Sequence, residues 1–267
     1  RAVIKMGGKA TALYPAEGYT GKFFTELLEK ERVPGIVIET EAYTRENIVI
    51  TDLSTNQQFR FGMPGTPLTE TEWKKMLEEV DHFPDPDFIV ASGSLPPGVP
   101  VDIFGRIAKI AKRKKARFIA DTSGDALLAA AQEGVFLLKP NLSELSTLAG
   151  KKYVEAEEVD DAAREIIEKG NCEVVVVSMG AAGAQLVSKD LEKRIVSPKV
   201  KTKTTVGAGD SMVGGIVYAL TKGMDLTSAV QYGVACGTAA TMNTGTSLFI
   251  PEDVHRLFSY IHKTQLH

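Results

Sequence analysis

Four short apolar runs limit what this chain can fold into. "DFIVA" (87–91), "RFIAD" (117–121), "VFLLK" (135–139) and "EVVVVS" (173–178) lack the polar–apolar alternation of a half-exposed strand. Such runs suit strands covered on both faces, the condition of a parallel sheet. Between and around them lie amphipathic stretches that read as helices: "TETEWKKMLEEV", "VDIFGRIAKIAKRKK", "DALLAAAQEG", "NLSELSTLAG" and "VDDAAREIIEKG". Thr69 and Glu72 stand at capping-box spacing. "KATALY" (9–14) adds a strand and "TGKFFTELLEKE" (20–31) a helix, and the last third reads as helices over 208–222, 225–242 and 251–263. This alternation predicts an α/β fold, a mostly parallel central sheet between helical layers. With no internal repeat and no low-complexity linker, residues 1–267 read as a single domain.

One segment breaks the rhythm. In "RENIVITDLSTNQQFRFG" (45–62) the runs "NIVITDL" and "QQFRF" flank the turn-forming "STNQ". This predicts a β-hairpin inserted at about 43–63. It serves as a lid, as a dimer surface, or only as a solvated edge.

Charge and composition exclude several functions. The net charge of −3 leaves no basic footprint for nucleic acid or an anionic membrane. No apolar run reaches the roughly 18 residues of a membrane span, and no secretory signal is present. Cys172 and Cys236 have neither metal nor redox spacing and read as buried thiols of a cytoplasmic protein. No histidines pair at ligand spacing, which argues against zinc. The opening "RAVIKMGG" lacks an initiator Met and reads as the last turns of a helix closed by Gly7. Nothing ahead of it supplies a cap, so the sequence is expected to be truncated at its N-terminus.

In open α/β sheets ligands bind beyond the carboxyl ends of the strands. The exits here are "SGSLPPG", "DTSGD", "KPNLSE" and "MGAAG", and together they suggest one polar cleft. A fifth stretch, "TVGAGDSMVGG" (205–215), sets Gly207, Ala208 and Gly209 before Asp210 at the start of an apolar helix. Glycines let backbone amides converge, and the helix adds its positive end, which together make an anion hole. A carboxylate facing such a hole makes chemical sense as a base. It takes a proton from a substrate hydroxyl while the amides hold the phosphoryl group under attack. The plain alternative is that Asp210 only caps the helix. A P-loop is excluded because no Lys follows Gly214 or Gly215, and a dinucleotide fingerprint because the third glycine comes too late. In "NLSE", Asn141 and Glu144 share one helix face. They are either an N-cap with its capping-box Glu or a pair that holds water around Mg²⁺. "SMGAAG" lets a nucleotide phosphate approach backbone or is a plain tight turn. Arg45 and Arg60 on the hairpin, with Ser92 and Ser94, either bind a substrate phosphate or are solvated.

These stretches occur in an order that resembles the ribokinase-like PfkB family of carbohydrate kinases. "TVGAGDSMVGGIVYAL" is similar to its C-terminal signature. "TREN", "FRFGMPG", "SGSLPPG", "DTSGDAL", "KPNLSEL", "VSMGAAGA" and "AATMNTGTS" resemble its phosphofructokinase branch, which holds the minor bacterial 6-phosphofructokinases, tagatose-6-phosphate kinases and 1-phosphofructokinases. The resemblance implies a three-layer α/β sandwich with a small β lid and a homodimer formed through the lid. It implies transfer of the ATP γ-phosphate to a ketohexose phosphate, foremost fructose 6-phosphate to fructose 1,6-bisphosphate, with Mg²⁺ and room for K⁺. Asp210 is then the base and Gly207, Ala208 and Gly209 the hole. Lys139, Asn141, Ser178, Gly180, Ala181, Gly183, Thr202 and Asn243 border ATP. Arg45 and Ser94, and more weakly Arg60, grip the sugar phosphate. Glu144 and Asn141 organise Mg²⁺ through water, and Ala240, Asn243, Gly245 and Ser247 lie where relatives bind K⁺. The family's opening strand with its sugar-binding Asp, its first lid residues and its glycine-rich motif ending in Asn have no match here. A chain that truly began at Arg1 would be a weak or inactive nucleotide- or sugar-phosphate-binding relative.

Overall fold

The computed structural model describes residues 1–52, 54–55 and 57–264. In chain order the elements are α1 (Ala2–Lys5), β1 (Ala12–Ala16), α2 (Gly18–Lys30), β2 (Gly35–Glu39), β3 (Asn47–Asp52), β4 (Gln57–Gly62), α3 (Glu70–His82), β5 (Phe88–Ser92), α4 (Ile103–Lys114), β6 (Arg117–Asp121), α5 (Gly124–Gln132), β7 (Val135–Leu138), α6 (Leu142–Leu148), α7 (Val159–Glu168), β8 (Cys172–Ser178), β9 (Ala184–Ser188), β10 (Leu191–Ile195), α8 (Ala208–Thr221), α9 (Leu226–Thr241) and α10 (Pro251–Thr264). They gather into two compact units. One holds residues 1–9, 84–94 and 101 onward, and the other residues 10–83 and 95–100.

The larger unit contains a sheet of six strands among the described residues, in the order β10-β9-β8-β7-β6-β5. Strands β5 to β8 pair in parallel, as their continuous apolar runs predict. Strands β9 and β10 run antiparallel to their neighbours. The sequence reading has no counterpart for them. "AQLVS" and "LEKRI" are five residues each, joined by Lys189 and Asp190 with no glycine or proline to mark the turn. The two faces of the sheet are covered by different helices. Ile119, Leu137, Val174, Val176, Ala184 and Leu186 share one buried cluster with α8, α9 and α10. The alternate residues Phe118, Ala120, Leu138, Val175, Val177 and Val187 point the other way and are buried as well. On that side α4 to α7 pack each against the next and against β5 to β9. Cys172 and Cys236 are both buried free thiols, and burial pushes Cys172 up to about 12.

Helix α8 is held in place chiefly by α9. Their contact is close because small residues face it. A methyl group on Gly233 would lie 2.5 Å from Ile216 Cγ1 and 2.8 Å from the Met212 carbonyl oxygen. One on Gly237 would lie 3.0 Å from the Ala208 oxygen, in the first turn of α8. The position of the start of α8 is thus set by backbone-to-backbone packing. The chain's opening residues also reach this helix: α1 packs on α8, and Gly7 follows it with φ +80.

The smaller unit pairs β1 with β2 in parallel, and α2 and α3 pack beside them. Strand β2, "GIVIE", is again a five-residue run absent from the sequence reading. Thr69 and Glu72 form the expected capping box at α3, and the second oxygen of Glu72 accepts the Glu41 N–H at 2.7 Å. Strands β3 and β4 pair antiparallel over Asn47–Asp52 and Gln57–Gly62. Leu53 and Asn56, which fall in the expected strand run and turn of this hairpin, lie outside the described residues. Among the described residues no helix is long and apolar enough to cross a membrane.

The α8–α9 contact has a direct test. Gly233→Ala gains helix propensity, worth about 1 kcal/mol on an open face. Here it should instead destabilise by roughly 1–3 kcal/mol, because the methyl meets a backbone oxygen that cannot swing aside. Urea unfolding measures it, and an unchanged or raised midpoint would contradict the packing.

Candidate active site

Because β5 to β8 are parallel, the residues after Ser92, Asp121, Leu138 and Ser178 leave the sheet at one edge. Hydrogen bonds stitch these exits together. Gly93 N–H donates to the Asp121 oxygen at 3.0 Å, and Thr122 Oγ1 donates to the Gly93 oxygen at 2.8 Å. Ser178 N–H donates to the Pro140 oxygen at 2.8 Å, and Asn141 and Ser178 form a parallel bridge.

Helix α8 begins among them. Gly207 is its N-cap with φ +74, a left-handed conformation that a side-chain-bearing residue adopts at a cost. Ser211 N–H closes the first turn on the Gly207 oxygen at 2.9 Å. The N–H groups of Ala208, Gly209 and Asp210 therefore have no acceptor within the helix and carry its positive end. Asp210 is the third helical residue, so it does not occupy the cap position. Glu72 and Glu144 use the same position to bond back to their caps, whereas Asp210 is exposed and makes no such bond. The Ser211 hydroxyl next to it is buried without a hydrogen-bond partner, the kind of group an ordered water or ligand oxygen satisfies.

Lys139 and Asp121 complete this region. Lys139 is buried, and its Nζ lies 3.1 Å from Asp121 Oδ1. The same ammonium lies 3.6 Å from where a Gly209 methyl would stand, which puts it against the first turn of α8. Burial pushes the Asp121 carboxyl above its usual range. Lys139 pulls it back, and the nearby charges of Asp210 and Glu144 raise it further. Three carboxylates and one ammonium thus share one neighbourhood. Asp121 stands in the "DTSGD" exit, yet its pairing is invisible in the sequence because Lys139 comes from the next strand.

Asn141 caps α6, and Glu144 bonds back to it. Glu144 N–H donates to Asn141 Oδ1 at 2.9 Å and Asn141 N–H donates to Glu144 Oε2 at 2.8 Å. The capping reading of this pair is therefore realised, and it leaves Glu144 Oε1 for a second task. Among the described residues no group of three or more His, Cys, Asp or Glu forms a metal cage.

The remaining expected residues fall around this centre and beyond it. Ser178 ends β8, and Gly180, Ala181 and Gly183 form the tight turn after it. Thr202 is exposed in the segment that leads to α8. Ala240 is buried in α9, and Asn243 Nδ2 reaches back to the Ala239 oxygen at 3.4 Å. Gly245 and Ser247 lie in the turn that follows, and Leu248 of the same segment would touch a methyl on Gly207. Ser94 is exposed just past β5. Arg45 and Arg60 belong to the smaller unit. There Arg45 lines a cavity of about 430 Å³ with Tyr19, Tyr43, Glu46 and Met63, large enough for a small ligand. Arg60 stands opposite Val49 on the hairpin and does not line that cavity.

Known proteins resemble this chain in sequence and fold. The pfkB family carbohydrate kinase profile matches residues 1–253. ATP-dependent 6-phosphofructokinase isozyme 2 of Escherichia coli is 40% identical over 262 residues, covering 98% of this chain and 85% of that protein. The 1-phosphofructokinase of Bacillus subtilis is 32% identical over 237 residues, 88% of this chain and 77% of the relative. A crystal structure of E. coli phosphofructokinase-2 in complex with potassium superposes with a TM-score of 0.93 at 39% identity, covering 98% of this chain and 85% of that one. The carbohydrate kinase family match and the phosphofructokinase relatives mark this ribokinase-like α/β chain as a phosphotransferase acting on a sugar hydroxyl. The chain belongs to the pfkB family of carbohydrate kinases.

The Lys139–Asp121 pair has a stability signature. Asp121→Asn leaves a buried ammonium without its counter-charge and should cost roughly 3 kcal/mol. Asp121→Leu combined with Lys139→Met removes both charges and should recover most of that loss. Denaturant titration of the single and double variants reads both. A double variant no more stable than the single one would contradict the pairing.

Proposed function

We propose that this protein phosphorylates a ketohexose phosphate with ATP, foremost fructose 6-phosphate at its 1-hydroxyl. The observation that carries the reading is Asp210: an exposed carboxylate, free of capping bonds, three residues into a helix whose first N–H groups are unspent. In this reading Asp210 accepts the hydroxyl proton of the acceptor sugar. The amides of Gly207, Ala208 and Gly209 and the positive helix end stabilise charge on the phosphoryl oxygens as it develops. Lys139, held by Asp121, supplies a fixed positive charge beside them. Asn141, Ser178, Gly180, Ala181, Gly183, Thr202 and Asn243 border the nucleotide.

The local charge supports magnesium as the companion of ATP. Asp121, Asp210 and Glu144 outnumber Lys139, so a bare polyphosphate would be repelled. Glu144, with Asn141, would hold the ion through water, and the ion would neutralise phosphate charge. The end of α9 at Ala240 and the segment after it, with Asn243, Gly245 and Ser247, would hold K⁺. Arg45 in its cavity would grip the phosphate the substrate already carries, with Arg60 in a lesser role, and Ser94 is a further candidate for that phosphate. The 40% identity to 6-phosphofructokinase isozyme 2 favours fructose 6-phosphate. The 32% identity to a 1-phosphofructokinase keeps fructose 1-phosphate as the second reading, and tagatose 6-phosphate shares the same chemistry.

The hairpin supports a homodimer. Ile48 faces Phe61 and Ile50 faces Phe59 across the ladder, so four large apolar side chains share one face. Each is about half exposed, and an isolated two-stranded ribbon with such a face is marginal alone.

ADP release from Mg·ATP should appear with one of fructose 6-phosphate, tagatose 6-phosphate and fructose 1-phosphate. Asp210→Asn should lower kcat by about 10²–10⁴-fold while ATP binding, read by calorimetry, persists. A folded, ATP-binding wild-type protein silent on all three sugars would replace the kinase with a non-catalytic relative. Arg45→Ala should raise the KM of the sugar phosphate about ten- to a hundredfold, the worth of a charge-assisted hydrogen bond, with the KM of ATP unchanged. Equal effects on both would remove Arg45 from the phosphate site. Ile50→Asp should convert a dimer to a monomer in light scattering, and an unchanged mass would remove the hairpin from the interface.

A further inference from the structure

The Met179–Gly183 turn is held unusually tightly for a surface loop. Within it Met179 N–H donates to the Gly183 oxygen at 2.9 Å, Ala182 N–H to the Met179 oxygen at 3.1 Å and Gly183 N–H to the Gly180 oxygen at 3.1 Å. The exposed Gly180 and Ala181 N–H groups are left uncommitted at its tip. Gly183, with φ +95, is pressed on the end of β10. A methyl group there would come within 2.0 Å of the Ile195 oxygen. One side chain reaches the turn from outside it. Arg194 of β10 donates through Nη2 to the Ala182 oxygen at 3.2 Å and through Nη1 to Met179 Sδ. Its guanidinium therefore spans the turn from one end to the other.

We propose that Arg194 is a positioning residue for nucleotide binding: it fixes the Met179–Gly183 turn so that the Gly180 and Ala181 N–H groups meet the nucleotide's phosphates ready-aligned. The proposal rests on the reading that this turn borders ATP. A guanidinium suits the task because its planar fork serves two acceptors at once, whereas an ammonium on a flexible stem serves one. Binding to a turn already in place avoids the entropy of ordering it, so the effect falls on nucleotide affinity and spares the chemical step. Sugar binding and the Asp210 chemistry do not involve this side chain.

The test compares the unaltered chain with Arg194→Gln, Arg194→Lys and a control, Glu192→Gln. Glu192 lies on the same strand, but its partner is Arg164 of α7. Amide hydrogen exchange of the free protein reads the tether, and steady-state kinetics reads its use. Exchange at Met179, Ala182 and Gly183, the bonded amides of the turn, should quicken in Arg194→Gln, and the KM of ATP should rise about three- to tenfold, the scale of one hydrogen bond. The sugar KM and kcat should stay fixed, Arg194→Lys should fall between wild type and Arg194→Gln, and Glu192→Gln should match wild type. Unchanged exchange would overturn the tether whether or not the protein proves to be a kinase. Faster exchange with an unchanged KM of ATP would overturn the nucleotide role and leave the kinase reading standing. A joint rise in both KM values with a lowered Tm would mean general damage to the sheet edge and would also overturn the proposal.

Discussion

The buried ion pair between Lys139 and Asp121 sets the character of the site, because it brings a fixed positive charge to the first turn of α8. Asp121 is the counter-charge of this buried lysine. The pair costs desolvation, and Asp121 bears the strain in its raised titration range. In return the ammonium is held where unspent helix N–H groups already favour negative charge. The carboxylates of Asp210 and Glu144 lie near enough to raise Asp121 further.

The larger unit supplies this electrostatic centre, and the rigidity behind it comes from ordinary packing. Small residues on α9 let the backbone of α8 approach closely, so the helix start has little freedom to drift. The exits of β5 to β8 are bonded to one another, which couples the "SGS", "DTSGD", "KPNLSE" and "SMGAAG" segments. The smaller unit contributes different means: a cavity lined by Arg45 and aromatic rings, and a hairpin with a bare apolar face.

Much of this was legible in the sequence, for local reasons. The parallel strands announced themselves through continuous apolar runs. The caps at Thr69 and Asn141 followed from spacing alone, and the start of α8 from two glycines and an acid. What the sequence hid was non-local. Lys139 and Asp121 are an ion pair only because adjacent parallel strands end side by side. Arg194 reaches the Met179–Gly183 turn only because β10 folds back along β9. Strands β2, β9 and β10 are five residues long, and nothing in their turns set them apart from loops. The N-x-x-E stretch offered capping and metal organisation as alternatives. The capping bonds use one oxygen of Glu144 and leave the other, so the two roles are compatible in one side chain.

The most direct measurement is a crystal structure of the protein with ADP, magnesium, aluminium fluoride and fructose 6-phosphate. The fluoride group should sit within hydrogen-bond distance of the Ala208 and Gly209 N–H groups, with Lys139 Nζ beside it and the Asp210 carboxylate on the sugar's 1-hydroxyl. A fluoride group bound away from the start of α8, or an Asp210 turned away from the acceptor oxygen, would contradict phosphoryl transfer at this helix.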